Sequence, residues 1–506
     1  MRKLLFTLFL LAGAPAFAQT QNAAGGTNLT LADVERLALD RNPQLAEARL
    51  EIAAADYQVA LQRAAYSPLF SASLVQRSQT NPSTTQLSGG QQLVSTDTSS
   101  YTSAVSKALS WGGGRIDVDF TGTRTGTSNV FATYNPSFSS SVAASMTQPL
   151  LRGFRFDSTR AQIAQAGIAR RIADVALRRE AATLLATVRR AYWELVYTVD
   201  ALETARQSES LAQRQLQDNR VRLELGTVAP IDVLESEAEV AARHQVVTQA
   251  EGAWRIAQVA LKEEIISGTT DPLWGSTIVP IDRPTGAPRS LDLSQAVASA
   301  LSNRTDLVTA REQRAAADID LRLLGDERKP AVDLTASYSL NGIGGTQILR
   351  QSGTLGSEVV GTLAGGYLDV LRSLGGLDYP TWTVGVNVTL PLGTRAADAA
   401  FARAQIARRQ ADVRVEALEL QVSAQVTRNS EQVKSAEEQI ASAGTARQLA
   451  ERRLDAEEAR RAAGLSTTFA VLQAQRDLAT AQSNELRAQL DYRRALVDFD
   501  LAQEAV

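Results

Sequence analysis

The chain has 506 residues, a net charge of −3, one histidine and no cysteine. That balance offers no strong basic field to nucleic acid, and the lack of Cys excludes a disulfide frame, a Cys-ligated metal and a lipidated N-terminal cysteine. Aromatics make up only 5%, while the helical stretches are crowded with Ala, Arg, Gln and Glu, the composition of long or coiled helices rather than of ordinary globular packing.

The first element in chain order is a secretory signal over 1–18. Arg2 and Lys3 precede the apolar run Leu4 to Leu11, and Ala16-Phe17-Ala18 makes an A-x-A cleavage site before Gln19. That run is too short to span a membrane, and no later stretch approaches ~18 consecutive apolar residues. Membrane insertion therefore requires a β-barrel.

Two structural repeats follow, 19–267 and 291–506, joined by a Pro/Gly-rich connector over 268–290. In the first, a short helix near 31–40 leads to a helix at 43–66, a β region at 68–149, a long helix at 156–225 and a returning helix at 230–267. The second repeats the order, with a short helix near 293–302, a helix at 305–328, a β region at 330–392, a long helix at 395–463 and a returning helix at 467–503. At an offset of 238, "LAQRQLQDNRVRLELG" ending at Gly226 meets "LAERRLDAEEARRAAG" ending at Gly464 without a gap. At an offset of 262, Leu29, Leu31, Leu39, Leu45 and Arg49 meet Leu291, Leu293, Leu301, Leu307 and Arg311, and Ala53–Asp56 meets Ala315–Asp318. The first repeat thus carries about 24 extra residues between these blocks. Each long helix, about 100 Å at 1.5 Å per residue, needs lateral neighbours along its length. The two shorter helices of a repeat, stacked end to end, nearly match it, which predicts a cylinder wall of paired helices about four helix-lengths wide per chain.

The β regions alternate. Trp382, Val384, Val386, Val388 and Leu390 point one way, and Thr383, Gly385, Asn387 and Thr389 the other. Val332, Leu334, Ala336, Tyr338 and Leu340 oppose Asp333, Thr335, Ser337 and Ser339 in the same manner, and the stretches at Phe70–Leu74 and Phe138–Met146 do so more weakly. Such a pattern fits a half-buried soluble sheet or a barrel strand with a lipid face and a wet lumen. The signal segment and the small hydroxylated polar side favour the barrel. Two strands per half cannot close one, since barrels start near 8 strands, so several chains must share it. A further hairpin over 101–125, turning at Gly112-Gly113-Gly114, either joins the barrel or decorates it. The Gly-rich segment 353–380 reads as an outside loop, in part helical.

Both hairpin tips stop at a glycine. Gly226 suits the left-handed residue that ends a helix, and Pro230 the first turn of the next. Gly464 is followed by the hydroxyl caps Ser466, Thr467 and Thr468. The first tip carries Asp232, Glu235 and Glu237; their acids suit a helix N-terminus or form an acidic ring. No catalytic constellation appears: His244 stands alone, the carboxylates alternate with arginines at heptad spacing, "WGGGR" lacks the features of a phosphate loop, and no metal site or cofactor is expected. Trp193 and Trp254 read as packing residues.

At this point the sequence resembles the TolC-like outer-membrane efflux protein family. The carriers are "ALDRNPQLAEAR", "MTQPLLRGF", "RRAYWELVYTVDALE", "RLELGTVAPIDVLESEAE" and "YPTWTVGVNVTLPLG", in this order after a signal segment. The resemblance implies a mainly α fold with a membrane β-barrel portion. Duplicated hairpins would form a trimeric α-barrel, and four strands per chain, or six if the hairpin over 101–125 joins them, would be shared in a trimeric transmembrane β-barrel, 12-stranded in the family. It implies a non-enzymatic exit duct of a tripartite efflux pump or type I secretion system. The expected partners are two further copies of the chain, outer-membrane lipid, a periplasmic adaptor and an inner-membrane transporter. Gly226, Thr227, Val228, Gly464, Leu465 and Ser466 match the adaptor-docking turns, and Asp232 matches an acidic tip position, with Glu235 beside it as a second gate candidate. The second tip departs from the family: Ala470 and Gln473 stand at its acidic gate positions, and Ser466 at its tip arginine. The competing expectation is a soluble periplasmic coiled-coil adaptor or scaffold.

Overall fold

Alternation and helical periodicity resolve into nine strands and nine α-helices among the described residues, which in this computed structural model are 26–83, 92–283, 289–351, 358–390, 392 and 396–504. The expected signal segment, part of the connector, the start of the loop at 353–380 and the end of the last strand at Gly393 lie outside them. Two units form, each drawing on both repeats: one from residues up to Glu47 with Arg179–Arg304 and Val422 onward, the other from Ala48–Arg178 and Thr305–Gln421.

The second unit is a sheet above a row of helices. After β1 (Gly26–Leu29) and α1 (Leu31–Arg41), α2 (Pro43–Arg63) leads into β2 (Leu69–Pro82), β3 (Leu93–Ala108), β4 (Arg115–Thr127) and β5 (Tyr134–Pro149). The long helix α3 (Ser158–Glu224) follows. In the second repeat α6 (Thr305–Glu327) leads into β7 (Ala331–Arg350), β8 (Val359–Leu363), α7 (Tyr367–Gly376) and β9 (Pro380–Thr389), then α8 (Ala396–Ala462). The strands make one antiparallel sheet in the order β2-β3-β4-β5-β7, with β9 and the short β8 on the far side of β7. The hairpin expected over 101–125 is β3–β4 and lies inside this sheet, between β2 and β5. The loop expected at 353–380 holds β8 and α7.

Register explains why the apolar residues of the strands gather on one face. Phe70, Val105, Val118, Ala144, Tyr338 and Trp382 form a single cross-strand row. The other face carries rows such as Ser73, Thr102, Thr121, Ser141 and Asn341. With a period of two, β7 and β9 keep to this split where they pair, whereas β3 sets Ser103 and Lys107 opposite Phe120 and Ile116 on the apolar face. The apolar row is uncovered, with Phe70 66% and Trp382 73% exposed, and Leu74, Val384, Val386 and Val388 on the same face are also exposed. At the end of the sheet away from the helices, α7 lies on this face with Val370 and Leu374 buried. Gly342 permits it, because a Cβ there would meet the Val370 carbonyl at 2.7 Å.

The β3–β4 turn is fixed to the start of α3. Gly112 and Gly113 have φ of +69° and +65°, and a Cβ on Gly113 would sit 2.4 Å from the Gly153 carbonyl oxygen. Gln148 donates through Nε2 to the Gly112 carbonyl at 2.6 Å, and Arg160 donates to the Ser110 carbonyl at 3.2 Å.

Ion pairs set the helix row. Arg170 on α3 pairs with Asp56 on α2 at 3.0 Å, and Arg408 on α8 with Asp318 on α6 at 3.2 Å. These are one ion pair built twice, since the arginines differ by the offset 238 and the aspartates by 262. Arg171 on α3 joins Glu312 on α6 at 2.8 Å, so α2, α3, α6 and α8 are successive neighbours. They feed β2, leave β5, feed β7 and leave β9, in the order of those strands.

The first unit holds α1, β1, α4 (Pro230–Ile265), β6 (Thr277–Pro280), α5 (Leu293–Asn303), α9 (Thr468–Gln503) and the distal parts of α3 and α8. β1 pairs with β6 in parallel. Tyr192 is fully buried on α3. Its hydroxyl donates to Asp282 Oδ2 at 2.9 Å, and burial pushes the phenol up to about 12. Trp193 meets it edge to face at 5.6 Å, with Arg493 over its ring. Trp254 packs against Leu202, Ala205 and Val247. The two repeats match here as well. Asn42 donates to the Glu264 carbonyl at the end of α4 at 3.1 Å, and its counterpart 262 residues on, Arg304, donates to the Ala502 carbonyl at the end of α9 at 3.3 Å.

Candidate functional site at the hairpin tips

Each long helix ends in the same backbone device. In the first hairpin Gly226 has φ +72°, its N–H donates to the Leu223 carbonyl at 2.9 Å, and the Thr227 N–H donates to the Arg222 carbonyl at 2.9 Å. In the second, Gly464 has φ +75°, with Gly464 to Arg461 at 3.0 Å and Leu465 to Arg460 at 2.8 Å. Both are Schellman motifs, which satisfy two orphan carbonyls and demand a left-handed residue that glycine adopts at no steric cost.

The returning helices start differently. Ala229 supplies no side-chain cap, and Asp232 reaches back, its Oδ2 accepting from the Ala229 N–H at 3.1 Å. Thr467 caps α9 by accepting from the Ala470 N–H at 3.2 Å. Ser466 donates to Glu457 at 2.7 Å, and this hydrogen bond holds that carboxyl below its ordinary value. Val228, Asp232 and Glu235 are half-buried. Leu225, Ile231 and Leu234 at the first tip, and Leu465 and Phe469 at the second, are exposed. Glu237 pairs with Arg220 across the first hairpin at 2.7 Å, and the exposed His244 sits 2.9 Å from Glu209. Among the described residues no group of His, Asp and Glu could hold a metal ion.

Sequence reasoning missed the buried charge at this end of the chain. Glu239 on α4 is 3% exposed. Its Oε2 accepts from Arg476 of α9 through Nε at 2.7 Å and Nη2 at 2.6 Å, and its Oε1 accepts from Arg243 Nε at 2.7 Å. Burial pushes the Glu239 carboxyl up, and the two arginines more than offset it, leaving it below its ordinary value. A second tie lies nearer the tip: Arg461 of α8 donates to Asn219 of α3, and Asn219 donates to Ser236 of α4, both at 2.7 Å. These contacts join the two hairpins of one chain. The repeat offset of 238 held the signal. At the matching place in the second hairpin, Arg453 pairs with Asp477 at 2.8 Å. The counterpart of Asp477 is Glu239, whereas that of Arg453 is Gln215. Glu239 has no arginine at the place of Arg453, pairs with Arg243 on its own helix, and takes its second arginine from the other hairpin.

Two glycine-stopped helical hairpins and an antiparallel sheet with one uncovered apolar face define a membrane-channel architecture rather than an enzyme. The outer membrane efflux protein family model matches residues 114–265 and 292–502, and the chain belongs to that family, whose members are trimeric, non-enzymatic channels of the outer membrane with a periplasmic extension, working with adaptors and inner-membrane pumps. No curated protein matches the chain. Solved structures share the fold at low identity. The CmeC outer membrane channel of Campylobacter jejuni has a TM-score of 0.65 at 14% identity, covering 94% of this chain and 85% of that one. The outer membrane protein VceC of Vibrio cholerae gives 0.63 at 15%, covering 94% and 96%. The Neisseria gonorrhoeae MtrE outer membrane channel in its open state gives 0.61 at 17%, covering 94% and 88%. Among the described residues no helix is long and apolar enough to cross a membrane.

Proposed function

We propose that the chain is the trimeric exit duct of a tripartite efflux pump or a type I secretion system. Its sheet spans the outer membrane, with Trp382, Val384, Val386, Val388 and Leu390 toward lipid, and its hairpins reach through the periplasm. Transport is passive, with energy from an inner-membrane transporter. The observation that carries this reading is the single exposed apolar row crossing six strands, in a chain that also builds two long helical hairpins. A soluble adaptor would leave that row in water at a cost of ~25 cal/mol per Å². Expressed with its leader, the protein is expected in the outer-membrane fraction as a detergent-extracted trimer; recovery as a soluble periplasmic monomer would sink the proposal.

The tips dock a periplasmic adaptor through Gly226, Thr227, Val228, Gly464, Leu465 and Ser466, whose backbone is locked by the Schellman bonds and whose neighbours Leu225 and Phe469 offer apolar contact. Gating falls to the first tip. If Asp232 lines a ring, Asp232→Ala raises single-channel conductance or alters cation block in planar bilayers. Its role as a helix cap alone predicts unchanged conductance with a destabilised tip, at roughly 0.5–2 kcal/mol per lost cap.

A further inference from the structure

The outermost strands of the sheet, β2 and β9, have one partner strand each, and no described residue pairs with their outer edges. The helices beneath them are the outermost of the row. α2 carries exposed Leu50, Tyr57 and Leu61, and α8 carries exposed Ile406, Val413 and Leu420 at seven-residue spacing. Each side of the unit is therefore a helix stripe continued by an open strand edge. Such edges recruit a further strand, and the two sides differ, so copies that join through them do so head to tail, the kind of contact that closes a ring when its rotation closes.

We infer that the β9–α8 side of one copy covers the β2–α2 side of the next, and that three copies close a wall of eighteen strands rather than twelve. The count rests on the trimeric reading above and on β3 and β4 being wall strands. Two observations make them so. Both pair along their length with neighbours in the sheet, where Val105 and Val118 continue the apolar row and Thr102 and Thr121 the polar one. Their turn is bolted to the end of β5 through Gln148 and to the start of α3 through Arg160.

Widths agree. Strands 4.7–4.9 Å apart and tilted 35–45° occupy roughly 34–42 Å of circumference for six and roughly 23–28 Å for four. Four helices side by side at 8–10 Å occupy roughly 32–40 Å. Six strands match the width of the helix row that feeds them.

The absence of cysteine makes introduced pairs unambiguous in the full-length protein. Ala72→Cys with Ser103→Cys, opposite each other on β2 and β3, is expected to form an intrachain disulfide in outer membranes, and Ala72→Cys with Ala144→Cys on β5 is not. Leu74→Cys with Val384→Cys, bridged by a short thiol cross-linker, is expected to give an interchain ladder ending at three chain masses. Electron microscopy of the unmutated protein in lipid discs is expected to count eighteen strands. A cross-link between Ala72→Cys and Ala144→Cys, a ladder ending at two chains, or a count of twelve overturns the inference while leaving a membrane duct. A soluble monomer overturns the duct itself.

Discussion

Glu239→Gln is expected to loosen the periplasmic end of the chain and raise single-channel conductance or open probability in planar bilayers. The substitution keeps the shape but removes the charge that Arg476 and Arg243 share. Removing one partner of a buried pair costs about 3–5 kcal/mol. Arg476 is 45% exposed at its side chain, so water recovers part of that, and a loss of about 1.5–3 kcal/mol, the worth of charged hydrogen bonds, is the reasonable figure. Each ~1.4 kcal/mol is tenfold in an equilibrium, so the balance between tied and untied hairpins shifts about 10- to 100-fold. Acid has the same sign. The folded Glu239 value lies below the ordinary 4.5, so its contribution is complete above the ordinary value and is lost as pH falls through the folded one. Wild-type conductance should therefore rise on acidification below that range, and the Glu239→Gln channel should lose this part of the response. Equal conductance in both channels at neutral pH would show that the tie does not restrain the opening.

Val386→Arg is expected to deplete the assembled outer-membrane trimer, whereas Asn387→Arg, one residue along β9, is tolerated. The two positions lie on opposite faces of the same strand, opposite Leu334 and Asp333 on β7. Arginine on a lipid face near the bilayer midplane costs about 2–4 kcal/mol, while a lumen position keeps it in water. Asn387→Arg also places a cation beside Asp333. The measurement is the heat-resistant trimer recovered from outer membranes at matched expression. Equal yields for the two variants would mean that the apolar face does not meet lipid.

Much of this architecture was legible because its signals are long or local. Helices of 67 residues advertise themselves through composition and period, and the tip glycines sit where a left-handed residue must. β9 was plain because Trp and Val alternate with Thr, Gly and Asn. β2 and β3 were faint because Ser and Thr populate both faces, as in the run "STDTSSYTSAVSK", so the binary contrast nearly vanishes. Only register with β4, whose Ile116, Val118 and Phe120 are unambiguous, shows that the hairpin belongs to the sheet. Helix α7 was legible only as a partly helical loop because glycines flank it; of these Gly365 packs closely on β7, where a Cβ would sit 2.5 Å from the Gly345 carbonyl oxygen. Among tip residues, Asp232 drew attention by its place in the chain, and its carboxylate proves to be committed to the Ala229 N–H. Glu239 did not, because one acid among many on a long helix carries no local mark. Its importance comes from burial and from a partner in the other repeat.

The cross-hairpin tie makes the two halves unequal in time. The second hairpin closes on itself through Arg453 and Asp477, so it is electrostatically complete when made. The first is not, since its buried carboxylate answers to an arginine 237 residues downstream. Synthesis proceeds at roughly 5–20 residues per second, so Glu239 exists without Arg476 for roughly 12–47 s at that rate. The half made first is the half that finishes last, and a chain interrupted before Arg476 would keep the paired strands β2 to β5 but not a finished first tip.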